Sequence, residues 1–93
     1  MSETKHIYFL GIGGIGMSAL ARYFKAKGCE VSGYDRTQTV LTRELESEGI
    51  SVHYSAQIPL LENLLADTLV IYTPAVPEDF EEFVYLKNNG FRM

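Results

Sequence analysis

The fold of this 93-residue chain is decided by residues 6–21, HIYFLGIGGIGMSALA. Within it the apolar run Ile7–Leu10 is too short for a helix and is mostly aromatic or β-branched, which is typical of a buried parallel strand. The glycines that follow fit the pattern G-x-G-x-x-G with one glycine to spare: Gly11, Gly13, Gly14 and Gly16. Apolar residues then recur at helical spacing: Met17, Leu20, Ala21 and Phe24. The stretch therefore predicts a strand, a tight turn and a helix.

The spacing of the glycines suits a diphosphate ligand. Gly11 lets the chain turn off the strand, Gly13 lacks a Cβ that would keep a pyrophosphate from the backbone, and Gly16 is expected to let the helix pack close to the sheet. The first amides of a helix have no internal partners and lie at the positive end of its dipole, so they hold phosphate without a lysine. A turn that only reverses the chain is the alternative. The position of the glycine turn between a strand and a helix, with an acidic residue downstream, favours a nucleotide-type diphosphate as its ligand.

The rest of the chain continues to alternate strands and helices. The predicted elements are a helix from Gly14 or Ile15 to Lys27, a strand Glu30–Asp35, a helix capped by Thr39 that runs through Glu48, a strand Ile50–Tyr54, a helical turn within Ser55–Ala66, a strand Thr68–Tyr72, and a helix Glu78–Asn89 with Phe80, Phe83 and Val84 on its apolar face. Gly33 should mark a close backbone approach. Phe91–Met93 reads as the opening of an unfinished fifth strand.

Strands joined by helical crossovers form right-handed, parallel connections. The sequence therefore predicts an α/β fold, a Rossmann-like three-layer domain with a parallel sheet of order 3-2-1-4 and any fifth strand beyond the fourth. No linker or repeat divides residues 1–93, so we expect a single domain that is a piece of a larger protein.

Two further segments are expected at the carboxyl edge of this sheet, where open α/β sheets bind their ligands. Asp35 ends the second strand, 19 residues after Gly16, where a carboxylate accepts hydrogen bonds from ribose hydroxyls; a turn or cap residue is the alternative. Arg36 is a candidate to face a phosphate or base, or is an exposed loop arginine. The rigid loop 73–77 is the second candidate site, unless its prolines only end the strand and start the next helix.

Composition narrows the classes of function. Hydrophobic residues make up 46% and charged residues 22%, and no apolar run reaches the roughly 20 residues of a membrane span, so we expect a soluble protein with no membrane partner. The N-terminus lacks a secretion signal, which makes a cytoplasmic location the default. A net charge of −4 with eight scattered Lys and Arg residues argues against nucleic-acid binding.

No reaction centre is visible in the sequence. Cys29 is the only cysteine, so an internal disulfide or a cysteine-rich metal site is excluded, and His6 and His53 are interpreted as structural. The chain contains no G-x-x-x-x-G-K-[ST], H-E-x-x-H or G-x-S-x-G sequence. We therefore expect no catalytic or metal-binding residue and no cofactor held by these residues.

Three segments together resemble the N-terminal domain of the Mur ligase family: GIGGIGMS at 11–18, VSGYD at 31–35 and VIYTPAVPED at 70–79. The resemblance covers essentially the whole chain, and within the family it favours the members that add L-alanine to UDP-N-acetylmuramate. The extended glycine signature with Gly14 and Met17 is much more specific than the general dinucleotide-binding pattern.

The resemblance implies that this domain binds the UDP part of the substrate. The backbone amides from Gly13 to Met17 would face the pyrophosphate, Asp35 and Arg36 the ribose and uracil, and the loop after the fourth strand would wall the pocket where the sugar leaves. The implied substrate-binding residues are Gly11, Gly13, Gly14, Ile15, Gly16, Met17, Ser18, Asp35, Arg36, Thr73, Pro74 and Ala75. The family often has small hydroxyl residues where this chain has Tyr72 and Pro74, so backbone contacts are expected from that loop.

The resemblance also implies the reaction of the whole enzyme. ATP, with magnesium, phosphorylates the lactyl carboxylate of UDP-N-acetylmuramate; the amine of L-alanine attacks the acyl phosphate, and phosphate leaves. The parts that bind ATP and the amino acid in this three-domain ligase are not recognised in these residues, so the chain alone should be inert.

Two alternative functions stay open at the level of sequence. An NAD-binding module of a dehydrogenase or regulatory protein is the main alternative, because Asp35 suits a ribose 2′-OH. A domain that keeps the fold and binds nothing is the second. In addition, an uncovered edge on the fourth strand would allow self-association.

Overall fold

The computed structural model describes residues 5–93. Its elements are β1 (His6–Leu10), α1 (Ile15–Ala26), β2 (Glu30–Tyr34), α2 (Val40–Ser47), β3 (Ser51–His53), α3 (Ile58–Leu61), β4 (Leu69–Tyr72) and α4 (Glu81–Asn88). The four strands pair in parallel in the order β3-β2-β1-β4. The predicted Rossmann-like α/β fold and its strand order are confirmed.

The central strand β1 is covered on both faces, because successive side chains of a strand point to opposite sides of the sheet. Ile7 and Phe9 pack in a buried cluster with residues of α1 and α2. Tyr8 and Leu10 pack in a second cluster with residues of α3 and α4. The sheet is therefore the middle of three layers. No helix among residues 5–93 is long and apolar enough to cross a membrane.

One backbone bridge continues the sheet beyond β4. The Val70 amide donates a hydrogen bond to the Arg92 carbonyl oxygen at 2.8 Å, and Leu69 pairs with Arg92 in parallel. This bridge lies where the sequence predicts the opening of a fifth strand.

The last helix differs from its prediction in both start and face. It begins at Glu81 rather than Glu78, because the Phe80 amide bonds back to the Pro77 carbonyl and closes a turn first. Its buried residues are Glu82, Phe83 and Leu86, whereas the predicted inward residue Val84 is 40% exposed. The buried face of α4 therefore includes the carboxylate of Glu82 and excludes Val84.

The first helix also differs from its prediction. Met17, Ala21 and Phe24 pack in the core as their helical spacing predicts, whereas Leu20 is 38% exposed. A Cβ on Gly16 would meet nothing within 4 Å, so this glycine does not permit close packing on the sheet. The close approach occurs at Gly33, where a Cβ would lie 2.7 Å from the Phe9 carbonyl oxygen, as the sequence predicts.

Candidate functional site

A cleft of about 500 Å³ opens at the carboxyl edge of the sheet, above β1, β2 and β4. It is lined by Gly11, Gly13, Gly14, Met17, Tyr34, Asp35, Arg36, Thr37, Thr73, Ala75, Val76, Pro77 and Phe80. The glycine turn, the end of β2 and the loop after β4, which the sequence singles out separately, therefore surround one space.

Unpartnered backbone amides stand at the start of α1. The N-cap is Gly14, and the first backbone bond of the helix runs from the Ser18 amide to the Gly14 carbonyl oxygen at 2.7 Å. Within residues 5–93 the amides of Ile15, Gly16 and Met17 have no hydrogen-bond acceptor. The first turn of α1 contains no acidic side chain, so nothing on the helix competes with an anion for the positive end of the dipole.

Some predicted site residues do not line the cleft. Ile15 is 85% exposed, and Gly16 and Pro74 are also exposed, so these residues can offer only backbone groups or a rim. Ser18 is buried, and its hydroxyl donates to the Ile15 carbonyl oxygen at 3.0 Å. The Ser18 side chain is therefore committed to the helix.

The carboxylate of Asp35 joins the glycine turn to the loop that follows β2. Its Oδ1 accepts a hydrogen bond from the Gly13 amide at 3.1 Å, and its Oδ2 accepts one from the Thr37 amide at 3.1 Å. An ionised carboxylate offers about four lone-pair sites, so each oxygen keeps one for a ligand. A Cβ on Gly13 would lie 2.9 Å from the Thr42 methyl and 3.0 Å from the Asp35 carboxyl carbon, so this packing also requires glycine.

The glycine turn is clamped to the end of β2. The carbonyl oxygen of Tyr34 accepts from the amides of both Gly11, at 2.8 Å, and Ile12, at 3.0 Å. Gly11 has φ +91°, a conformation that side chains rarely adopt, and Ile12 is fully buried. The turn is thus held by its neighbouring strand as well as by its own helix.

An aromatic pair forms one wall of the cleft. The rings of Tyr34 and Phe80 stack with their centroids 4.5 Å apart and their planes at 27°, beside Val76 and Pro77. Burial raises the pKa of the Tyr34 hydroxyl, and nearby carboxylates add to the effect, so this wall is neutral at physiological pH. Arg36 is the one basic residue among those that line the cleft.

Sequence reasoning missed several lining residues. Tyr34 and Thr37 flank the predicted Asp35, so adjacency along the chain was a usable signal. The apolar pattern assigns Phe80 to the core because it starts the last helix too early, at Glu78. The place of Phe80 at the cleft follows from the turn that precedes α4.

Backbone hydrogen bonds of Thr73 hold the loop that follows β4. The Thr73 amide donates to the Leu10 carbonyl oxygen at 3.3 Å, and the Thr73 carbonyl accepts from the Val76 amide at 3.0 Å.

No group of three or more His, Cys, Asp or Glu residues that could hold a metal ion is found within the described part of the chain. The geometry is therefore that of a binding cleft for an anionic ligand with a flat apolar portion.

Comparison with known proteins gives the cleft a family context. The model of the family described as "Mur ligase family, catalytic domain" matches residues 6–93. The chain belongs to the Mur ligase family. The resemblance inferred from the glycine signature is confirmed.

Two curated relatives of this Mur ligase domain share one name. The chain is 53% identical to the UDP-N-acetylmuramate–L-alanine ligase of Christiangramia forsetii, over 100% of this chain and 22% of that protein. It is 51% identical to the enzyme of the same name from Phocaeicola vulgatus, over 100% of this chain and 21% of that protein. The chain thus spans about a fifth of the length of these relatives.

Solved structures of the family share the fold of this domain. The UDP-N-acetylmuramate–alanine ligase of Thermotoga maritima matches with a TM-score of 0.78 and 37% identity, over 92% of this chain and 19% of that one. The UDP-N-acetylmuramate:L-alanyl-γ-D-glutamyl-meso-diaminopimelate ligase of Neisseria meningitides matches with a TM-score of 0.84 and 30% identity, over 97% of this chain and 28% of that one.

Proposed function

We propose that this domain binds the UDP part of UDP-N-acetylmuramate in an ATP-dependent ligase that adds L-alanine during peptidoglycan precursor synthesis. The observation that carries the proposal is the set of unpartnered amides at the start of α1, beside a cleft with an aromatic wall. The name shared by the curated relatives, at about 50% identity over the whole chain, supports the choice of nucleotide sugar.

The pyrophosphate would be bound at the glycine turn. The amides of Ile15, Gly16 and Met17 are free to donate to phosphate oxygens, and hydrogen bonds to a charged group contribute about 1.5 to 3 kcal/mol each. Arg36 adds one positive charge at the cleft, which offsets part of the charge of the ligand. The site recognises phosphate mainly through backbone groups.

The nucleoside would lie across the end of β2. The free lone pairs of the Asp35 carboxylate suit the ribose hydroxyls, and the stacked rings of Tyr34 and Phe80 offer an apolar surface for the flat base. The backbone of residues 73–75 would border the path along which the sugar leaves the cleft.

The other steps of the ligase reaction are assigned to parts of the enzyme outside residues 1–93. The chain has no G-x-x-x-x-G-K-[ST] sequence for ATP, and residues 5–93 offer no cluster of ligands for magnesium. We therefore place ATP, magnesium and L-alanine on the rest of a three-domain cytoplasmic ligase and assign no catalytic residue to this domain. Its contribution is to hold the substrate.

Calorimetric titration of the chain with UDP-N-acetylmuramate, UDP, NAD and NADP tests the proposal. We expect the two uridine compounds to bind and the two nicotinamide compounds to give no heat beyond dilution. Binding of NAD instead would overturn the nucleotide assignment. If none of the four compounds gave heat of binding, this would contradict the proposal that this domain holds the nucleotide by itself.

A further inference from the structure

Glu82 is the one acidic or basic side chain that is fully buried among residues 5–93. Its Oε1 accepts a hydrogen bond from the Tyr8 hydroxyl at 2.5 Å. Its Oε2 accepts from the His53 Nε2 at 2.7 Å and from the Gln57 backbone amide at 2.8 Å. We call these four residues the Glu82 cluster. It joins the first turn of α4 to β1, to β3 and to the chain before α3.

Stability alone is a poor explanation for this carboxylate. Burying a charge is costly, and the donors of the cluster offset that cost only because all of them are aligned. Well-packed apolar side chains of similar volume are often neutral or better for stability at such a site. Burial and Glu82 together raise the pKa of the Tyr8 hydroxyl far above its ordinary range, so Tyr8 stays a donor. Unlike an apolar core, the cluster fixes the orientation of the segments that it joins, because hydrogen bonds are directional.

The cluster is connected to the wall of the cleft by a short path. Phe80 is the N-cap of α4, two residues before Glu82, and its ring stacks on Tyr34 at 4.5 Å. The Tyr34 ring in turn lies 5.9 Å from the His53 ring. A shift of the first turn of α4 would therefore move Phe80 along the surface that faces the ligand.

We infer that Glu82 is a positioning residue of the nucleotide site: by bonding to Tyr8, His53 and the Gln57 amide it holds Phe80 in place at the cleft. Glu82 acts on affinity without touching the nucleotide. The effect on UDP affinity rests on the proposed function, whereas the effect on Phe80 does not.

Two substitutions of Glu82 separate the effect of its hydrogen bonds from the effect of its charge. In Glu82→Gln the side-chain oxygen can still accept from His53 and Gln57 while the amide nitrogen donates to the Tyr8 oxygen, so the bonds to β3 and to the chain before α3 are kept and only the bond to Tyr8 is reversed in direction. Glu82→Leu keeps a similar volume and removes every hydrogen bond of the carboxylate, so that the Tyr8 hydroxyl keeps only its 3.0 Å contact with the His53 Nε2. Leu45→Ala is the matched control, because Leu45 is fully buried on the opposite face of the sheet and its truncation destabilises the core without touching the cluster.

The first readout is the proton NMR shift of the Phe80 ring in the ligand-free chain, which reports stacking on Tyr34. We expect it to be unchanged in Glu82→Gln and Leu45→Ala and to move in Glu82→Leu. The second readout is UDP affinity below the melting temperature of each variant. We expect a change within about twofold for Glu82→Gln and a loss of about tenfold for Glu82→Leu, comparable to the loss of one buried hydrogen bond.

An unmoved Phe80 shift in Glu82→Leu would overturn the inference, and so would an equal loss of UDP affinity in Leu45→Ala. If Glu82→Leu does not fold, Tyr8→Phe replaces it, since it removes one donor and keeps the ring; a smaller displacement of Phe80 is then expected, and none would overturn the inference. If the wild type does not bind UDP, the proposed function fails, while the Phe80 shift still decides the role of Glu82.

Discussion

Replacing Gly14 by valine is expected to weaken nucleotide binding strongly while the fold stays intact. Gly14 is exposed and has φ −67° and ψ 153°, a conformation open to residues with side chains. A Cβ there would lie 3.6 Å from the Met17 Cγ and 3.8 Å from the Gly11 carbonyl oxygen, both ordinary contact distances. The Cβ is therefore accommodated, and the two methyl groups beyond it would occupy the mouth of the cleft that Gly14 lines.

The expected magnitudes differ sharply between stability and binding. Valine is a poorer N-cap than glycine by about 0.5 to 1.5 kcal/mol, and reduced freedom of the unfolded chain stabilises by about 0.4 to 1 kcal/mol. A net change within about 1 kcal/mol moves the melting temperature of a domain of this size by less than about 8 °C. Displacing phosphate from two of the free amides costs about 3 kcal/mol, or roughly 100-fold in the Kd for UDP.

Circular dichroism melting and calorimetric titration with UDP measure the two effects on the same sample. Ala19→Val is the matched control, because Ala19 is exposed in α1 and does not line the cleft. It should keep UDP affinity and lower the free energy of unfolding by less than about 1 kcal/mol. Wild-type UDP affinity in Gly14→Val would refute the placement of the pyrophosphate at this turn.

Further substitutions and one association measurement test the rest of the site and fold. Gly13→Ala should lower the free energy of unfolding by about 1 to 3 kcal/mol in urea titrations, because its Cβ would lie 2.9 Å from the Thr42 methyl; an unchanged midpoint would contradict the packing argument. Asp35→Ala should weaken UDP binding by about 1 to 3 kcal/mol in calorimetry, and an unchanged Kd would exclude it from the site. Burial raises the folded-state pKa of Tyr8 above the ordinary 10.0, so its contribution to stability is complete below pH 10 and declines above it. Tyr8→Phe should therefore flatten the fall of unfolding free energy at alkaline pH, and parallel curves for both proteins would count against this. The Arg92 bridge covers the Leu69–Val70 end of the outer edge of β4, which leaves the rest of that edge for the expected self-association; light scattering that shows a strict monomer at high concentration would exclude it.

Local sequence signals were sufficient for the fold because each was confined to a short segment. The run Ile7–Leu10 and the glycines after it predicted β1, the turn and α1, and the alternation of strands and helices then allowed one strand order. The close approach at Gly33 was predicted for the same reason, since a glycine inside a strand pattern typically marks a bulge, a bend or a backbone that passes close by.

Contacts between distant segments were beyond this reasoning. The partners of Glu82 lie 74 residues away at Tyr8 and 29 residues away at His53, so its burial could not be read from the acidic start of α4. The bond between Asp35 and the Gly13 amide spans 22 residues. Sequence spacing predicted a carboxylate at the site, but only the folded chain shows that it also braces the turn.

The clamp that β2 places on the glycine turn decides when the turn becomes ordered. The amides of Gly11, Ile12 and Gly13 are already bonded to the end of β2 and to Asp35, while those from Ile15 to Met17 are free. The conformational entropy of the turn is therefore lost when the domain folds, and none of it has to be lost again when a nucleotide arrives. Association at such a preformed cradle is limited by diffusion and orientation rather than by loop ordering, so differences in affinity between nucleotides should be found in their rates of departure.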